Sequence, residues 1–167
     1  MRIFGVDPGS RITGYGVVDL RRGKPVYVAS GCIRTPKGDV AYRLAEIFEG
    51  ITSLIDTHAP DQVAVEQVFL SKNANSALKL GQARGVVLAA VARAGIDVAE
   101  YAARRVKQSV TGTGAATKPQ VQHMVRVLLD LSAAPSSDAA DALAIAICHI
   151  NTQRPQAPTR LRHHGSR

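Results

Sequence analysis

The chain has 167 residues, of which 46% are hydrophobic, enough for a single domain with a buried core. Lys and Arg number 21 against 13 Asp and Glu, a net charge of +8, and no apolar run approaches the ~18–20 residues of a membrane span. These values exclude a membrane-spanning protein and favour a soluble, cytoplasmic one.

The two cysteines, Cys32 and Cys148, lie in apolar runs and form no CxxC motif. We expect both to be small buried hydrophobic residues. A disulfide is not expected in a reducing compartment, and the spacing indicates no zinc site.

The basic residues are unevenly distributed. The stretch from Lys72 to Arg126 contains nine basic residues, but only Asp97 and Glu100 as acids, and after Asp141 there are four arginines and no acid. This distribution favours a polyanionic partner, nucleic acid before membrane, because no basic amphipathic helix with bulky aromatics is present. The alternative is a solvated basic surface without a partner.

The N-terminal segment predicts a hairpin. An apolar strand over residues 3–6 ends at Asp7, a turn follows, and a second strand covers residues 12–20. A carboxylate at the end of a central strand is costly to bury unless it is paired or binds a metal. Gly14 and Gly16 lie opposite and would allow a backbone or a ligand to approach closely. Alternatively, Asp7 simply stabilises the turn.

The rest of the chain alternates helices and strands. We predict a strand over 25–34, a helix capped by Asp39 and ending near 58, a strand over 61–66, a helix over 74–94, a strand over 98–101, a basic loop over 102–118 with about one helical turn, and helices over 119–131 and 138–151. This order indicates an α/β fold with a mixed five-stranded sheet and helices on both faces. Residues 1–152 would form this domain, and 153–167 a disordered basic tail.

The helix over 74–94 carries small residues at every fourth position, which would let another helix approach closely: Ala77, Gly81, Gly85 and Ala89. It also has more apolar area than packing on one sheet face requires, from Leu78, Val86, Val87 and Val91. We expect a homodimer in which this helix meets its own copy across a two-fold axis. The alternative is that the helix belongs entirely to the core.

Four acids lie at the ends of predicted elements. Asp7 and Glu66 end strands, and Asp138 and Asp141 lie on one face at the start of the last helix. Taken singly, the helical pair is explained by capping and the helix dipole. Together, converging carboxylates would repel one another unless a cation such as Mg²⁺ neutralised them. Two such ions can drive phosphodiester cleavage, which agrees with a basic, phosphate-binding surface.

Six stretches of the sequence carry a family resemblance and span nearly the whole chain before the tail: IFGVDPGSRITGYGV, VEQVF, NSALKLGQARG, EYAARRVKQSVTG, KPQVQHMV and SDAADALAIAICH. In these stretches the sequence resembles the RuvC family of Holliday junction resolvases. The resemblance implies a ribonuclease-H-like fold and a homodimer. It also implies symmetric, Mg²⁺-dependent nicking of four-way DNA junctions, with two ions per site and Mn²⁺ as a substitute. RuvA and RuvB are the implied protein partners. Catalysis and metal binding are assigned to Asp7, Glu66, Asp138 and Asp141.

The resemblance also implies DNA contacts. It places Lys107 and Lys118 near the scissile phosphate and Phe69 against bases at the junction. It also implies that the cut is made preferentially at a short T-rich sequence. Lys72, in the same polar loop as Phe69, and Arg104 are further candidate DNA-binding residues. An exposed Phe69 could stack on an unpaired base, worth ~1–3 kcal/mol. The alternatives are that Phe69 packs into the core and that the lysines are ordinary surface residues.

The loop over 111–114, Thr-Gly-Thr-Gly, could offer amides to a phosphate or be an ordinary connector.

Two other functions compete with the nuclease. A phosphate-binding ATPase or sugar-kinase-like domain also opens with an Asp-x-Gly hairpin, but it needs a second domain for which this chain is too short. A non-catalytic junction-binding module would have no reason to place four acids near its DNA-facing surface.

Overall fold

The computed structural model describes residues 1–67 and 73–153, which form five strands and five helices. The strands are β1 (Arg2–Asp7), β2 (Ile12–Arg21), β3 (Lys24–Arg34), β4 (Gln62–Glu66) and β5 (Val98–Tyr101). The helices are α1 (Val40–His58), α2 (Ala74–Arg93), α3 (Ala103–Thr111), α4 (Lys118–Leu128) and α5 (Ser137–Gln153).

The strands form one mixed sheet in the order β3-β2-β1-β4-β5. The first three strands are an antiparallel meander, whereas β4 runs parallel to β1 and β5 parallel to β4. The prediction of a mixed five-stranded sheet is confirmed. Its consequence for function is that the carboxyl ends of β1 and β4 meet at the same edge of the sheet.

Alternating side chains of the sheet build two separate cores. Phe4 and Val6 point to the face that packs against α1 and α2, together with Ile47 and Val87. Ile3 belongs to the opposite core, which also holds side chains of α3, α4 and α5. Helices therefore cover both faces, as the order of strands and helices in the sequence predicts.

Helix α5 lies directly on the sheet because glycines leave room for it. A Cβ on Gly5 would lie 2.2 Å from the carbonyl oxygen of Ala142, and one on Gly14 would lie 2.1 Å from that of Asp138. Any side chain at these two positions would push the helix away. The expectation that a backbone approaches the sheet at Gly14 is confirmed, and the backbone is that of the last helix.

The prediction that the segment over 102–118 is mainly loop is wrong. Helix α3 occupies nine residues of it, with Val106 and Val110 buried against the core. The helix has no side-chain cap at Ala102, so the sequence lacks the usual start signal. Helix α4 also ends earlier than predicted, because Asp130 takes a left-handed conformation with φ of 51°.

The cysteines are both free thiols, as predicted. Cys148 is buried, but Cys32 is only half-buried because its strand, β3, lies at the edge of the sheet. None of the helices described is long and apolar enough to cross a membrane. The predicted tail falls outside the described residues except for its first residue, Gln153, which belongs to α5.

Candidate active site

Two carboxyls meet where β1 and β4 end. The parallel register pairs Val6 with Val65, so that Asp7 and Glu66 follow side by side. Each side chain is close enough to the other for one carboxyl, once protonated, to hydrogen-bond to its neighbour. The strand pairing thus brings together two acids that are far apart in the sequence.

Helix α5 brings a third carboxyl to the same place. Gly14, the partner of Asp7 in the β1–β2 ladder, is covered by the backbone of Asp138, at the start of α5. One turn later, Asp141 lines a cavity together with Asp7 and Glu66. Asp138 itself does not line this cavity.

The cavity has a volume of about 340 Å³ and is lined by acids, bases and apolar side chains together. Lys107 enters from α3 and Lys118 from the start of α4. The remaining lining residues are apolar: Ala103, Val106, Val121, Ala144 and Ile145. Apolar surroundings strengthen the interactions between the charged groups.

Burial and mutual repulsion disturb the titration of the two strand-end acids. Burial, followed by the charges of Glu66 and Asp141, raises the pKa of Asp7 to about 8. Burial also raises the pKa of Glu66, while Lys118 and Lys107 oppose the shift. A carboxyl that ionises with such difficulty marks a place where negative charge lacks compensation.

One lysine already compensates part of this charge. Lys118 Nζ lies 2.9 Å from Oδ2 of Asp141. The hydrogen bond and charge of Asp141 raise the pKa of Lys118, and the charges of Asp7 and Asp138 contribute to the same shift. Asp138 is therefore part of the electrostatic environment although it does not line the cavity.

The carboxylates as arranged do not form a finished metal cage. Within residues 1–67 and 73–153, no three His, Cys, Asp or Glu side chains lie close enough together to hold one ion. The chemistry of the donors nevertheless fits a hard cation, because the acids offer only oxygen ligands. Uncompensated charge at Asp7 and Glu66 is what such a cation would neutralise.

The structure does not bring the other predicted DNA-binding residues into this cavity. Arg104 is exposed and packs against Gly114 instead of lining the cavity. Phe69 and Lys72 lie outside the described residues. In the Thr-Gly-Thr-Gly loop, the amide of Thr113 donates to the hydroxyl of Thr111, and the amide of Ala115 donates to the hydroxyl of Thr113. These internal bonds favour the connector interpretation.

A buried polar network beside the site is absent from the sequence-based predictions. His149 of α5 is 4% exposed and shares hydrogen bonds with Tyr101 Oη at 2.8 Å and with Gln62 Oε1 at 2.9 Å. Burial lowers the pKa of His149, so the ring is neutral at pH 7. The network ties α5 to β4 and β5, and a lone His within an apolar helical run is its only sequence signal.

The sequence matches the model of one known protein family over most of its length. The family model described as crossover junction endodeoxyribonuclease RuvC matches residues 3–149. The chain belongs to the RuvC family. This family consists of nucleases that hydrolyse phosphodiester bonds, and the predicted resemblance is confirmed.

Individual RuvC proteins agree with this assignment. RuvC of Hahella chejuensis is 58% identical over 154 residues, covering 92% of this chain and 90% of the relative. RuvC of Tolumonas auensis is 59% identical over 152 residues, covering 91% and 88%. The structure of Thermus thermophilus RuvC in complex with a Holliday junction substrate superposes with a TM-score of 0.85 at 36% identity, over 91% of this chain and 94% of that one. The ribonuclease-H-like fold is thereby confirmed.

Proposed function

We propose that this protein resolves Holliday junctions in recombination and repair by nicking two strands of like polarity, each through water attack on a phosphodiester. The observation that carries the proposal is the cavity in which Asp7, Glu66 and Asp141 converge between Lys107 and Lys118. Phosphodiester hydrolysis requires groups that activate a water nucleophile, which carboxylates can do, and cationic groups that bind the phosphate, which lysines can do.

A divalent cation is part of the proposal. Asp7, Glu66, Asp138 and Asp141 would hold Mg²⁺, two ions in each site, or Mn²⁺ in its place. When bound, such ions activate water and stabilise the leaving oxygen. The raised pKa of Asp7 and Glu66 supports this assignment, because it reveals negative charge that the protein's own groups leave partly uncompensated.

The two lysines supply what the carboxylates cannot, an attraction for the phosphate group. Lys107 and Lys118 enter the cavity from different helices and on the same side of the sheet as α5. Together they would hold the non-bridging oxygens of the scissile phosphate against the carboxylates. The apolar lining, which includes Val106 and Ile145, limits the water around this contact.

The proposal includes a homodimer formed through α2. Gly81 and Gly85 are exposed, and a Cβ at either position would meet no described atom within 4 Å. Of the four apolar residues expected at the contact, only Leu78 is largely exposed, at 62%. The expectation is wrong for Val87 and Val91, which are buried in the core, and Val86 packs against that core. This small-residue ridge is open to a second copy of the chain. A two-fold dimer would present two active sites, one for each nick.

Other parts of the proposal rest on the family resemblance or on the amino-acid sequence alone. Base stacking by Phe69, DNA contacts of Lys72 and Arg104, association with RuvA and RuvB, and the cytoplasmic location stay predictions.

The deciding experiment is a nicking assay on a synthetic four-way junction beside a linear duplex of the same sequence. We expect paired nicks in the junction, only when Mg²⁺ or Mn²⁺ is present, and little cleavage of the duplex. Binding to the junction without nicking under any divalent cation would favour the non-catalytic junction-binding module. Equal cleavage of both substrates would refute junction specificity.

A further inference from the structure

Another cavity, lined by basic side chains, lies at the β1–β2 turn that follows Asp7 and has no role in the chemistry described above. Its volume is about 400 Å³. It is formed by the turn after β1, the loop between β3 and α1, and the first turns of α1, and its lining residues are Arg11, Thr35, Pro36, Lys37, Gly38 and Arg43.

Hydrogen bonds fix the shape of this cavity. The amide of Thr35 donates to the carbonyl of Arg11 at 3.0 Å, so the β3–α1 loop is joined to the β1–β2 turn. The turn itself is closed by Thr13, whose buried hydroxyl donates to the carbonyl of Gly9 at 3.1 Å. The cavity is thus attached to the same turn that follows Asp7.

Three cations line the cavity, and no acid does. Arg11, Lys37 and Arg43 form no ion pair within residues 1–67 and 73–153. The remaining residues, 68–72 and 154–167, contain no Asp or Glu that could neutralise them. The nearest acid in the sequence, Asp39, accepts a hydrogen bond from the amide of Ala41 and caps α1.

Arg43 gives independent evidence for an anionic ligand. Its Nε is buried and has no hydrogen-bond partner among the described residues. A buried donor without a partner is destabilising because it has lost its water without gaining a hydrogen bond, and more so when it is charged. An anion in the cavity would accept from the guanidinium of Arg43 and offset the repulsion among the three cations.

The position of the cavity identifies the anion. Arg11 follows Asp7 by four residues, so their Cα atoms are at most about 14 Å apart. A DNA strand carries a phosphate every ~3.4 Å along its axis. We infer that the cavity binds a backbone phosphate of the junction arm that flanks the cut, a few nucleotides from the scissile bond. This inference rests on the proposed function and adds a phosphate site to it.

The test removes two charges from the cavity and, as a control, two charges elsewhere. Arg11→Gln/Lys37→Gln is compared with Arg22→Gln/Lys24→Gln, which changes the β2–β3 turn at the opposite end of the sheet. Junction affinity is measured in chelator, so that no strand is cut, over a range of salt concentrations. We expect the slope of log K against log [salt] to fall by about 1–2 for the cavity variant and not for the control.

Single methylphosphonate substitutions, which remove the charge of one phosphate, locate the contact. In the unmutated protein, one neutral phosphate near the cut should lower affinity about tenfold. In the Arg11→Gln/Lys37→Gln variant the same substitution should have no further effect. A free-anion site unrelated to DNA would show no such position dependence and would overturn the inference.

Equal losses in the cavity variant and the control variant would also overturn it. If the double variant fails to fold, as judged by circular dichroism, the exposed Lys37→Gln alone gives the same comparison with a slope change of about 1. If the unmutated protein neither binds nor nicks junctions, the proposed function fails. If only the inference fails, the protein still binds and nicks the junction, but no single phosphate of the DNA depends on the cavity for its contribution to affinity.

Discussion

Lys118 and Asp141 form an ion pair of 2.9 Å that joins the start of α4 to the first turns of α5. The Lys118 side chain is 67% exposed and that of Asp141 only 24%. A pair with one largely solvated partner contributes little to stability and exchanges partners readily. Lys118 is therefore free to move to a phosphate when another cation neutralises Asp141.

We predict that Lys107→Ala and Lys118→Ala reduce cleavage more than binding. Removing a group that stabilises charge at the reacting phosphate costs about 10²–10³ in rate, whereas one contact among many changes affinity little. Single-turnover nicking at saturating protein and a separate binding titration measure the two effects. Arg22→Ala, at the opposite end of the sheet, is the control. Equal losses of affinity and rate would show that the lysines provide general attraction only.

We predict that the carboxylate variants lose nicking but keep their affinity for the junction. These variants are Asp7→Asn, Glu66→Gln, Asp138→Asn and Asp141→Asn. The acids are proposed to hold the cation, and loss of negative charge does not weaken binding to a polyanion. Mg²⁺-dependent nicking and junction affinity are measured side by side. Full activity of Asp7→Asn would exclude the proposed site.

Asp7→Asn should also stabilise the protein in chelator. Burial and the charges of Glu66 and Asp141 raise the pKa of Asp7 to about 8, so near pH 7 folding requires this carboxyl to take up a proton that the unfolded chain does not hold. A neutral amide removes that cost. We expect the free energy of unfolding to rise by about 0.5–2 kcal/mol, as is common when a strained functional group is removed. Urea denaturation measures it, with the exposed Asp56→Asn as control. A less stable Asp7→Asn variant would contradict the electrostatic description of the site.

Gly85→Leu should separate the dimer without harming the fold. A Cβ at this exposed position would meet no described atom within 4 Å apart from its own helix backbone, and Leu is a better helix former than Gly by up to about 1 kcal/mol. The variant should be a well-folded monomer that no longer makes paired nicks. Sedimentation equilibrium and thermal unfolding measure both properties. An unmutated protein that is monomeric at micromolar concentration and still cuts both strands would rule out the dimer.

Asp19 should make the free energy of unfolding depend on pH in the acid range. Hydrogen bonds from Arg2 at 2.8 Å and Arg21 at 2.7 Å help to hold its pKa at about 2, below the ordinary value of 3.8. Its contribution is therefore fully present above about pH 4 and is lost as the pH falls towards 2. Asp19→Asn should be less stable than the unmutated protein at pH 7 by about 1–3 kcal/mol, and the gap should narrow below about pH 4 and close as the pH approaches 2. A pH-independent gap would contradict this assignment, and the exposed Asp97→Asn serves as control.

Local sequence patterns are sufficient to predict most of the helices and strands. The apolar run of β1, ended by a turn, and the Asp39 cap of α1 are short-range features, and both predict bounds close to those observed. The family motifs likewise mark the four acids without knowledge of their spatial arrangement. Helix α3, which these patterns do not predict, lacks a capping side chain, so its formation depends on the burial of Val106 and Val110 against the rest of the fold.

The geometry of the site is decided by contacts between distant parts of the chain. The register of Val6 with Val65 sets Asp7 beside Glu66, and the absence of a side chain at Gly14 lets α5 lie on the sheet. No local pattern encodes which strand pairs with which, or how closely a helix approaches a sheet. These relationships follow from the simultaneous packing of both cores, so the sequence named the catalytic candidates and the tertiary structure determined which of them share a cavity.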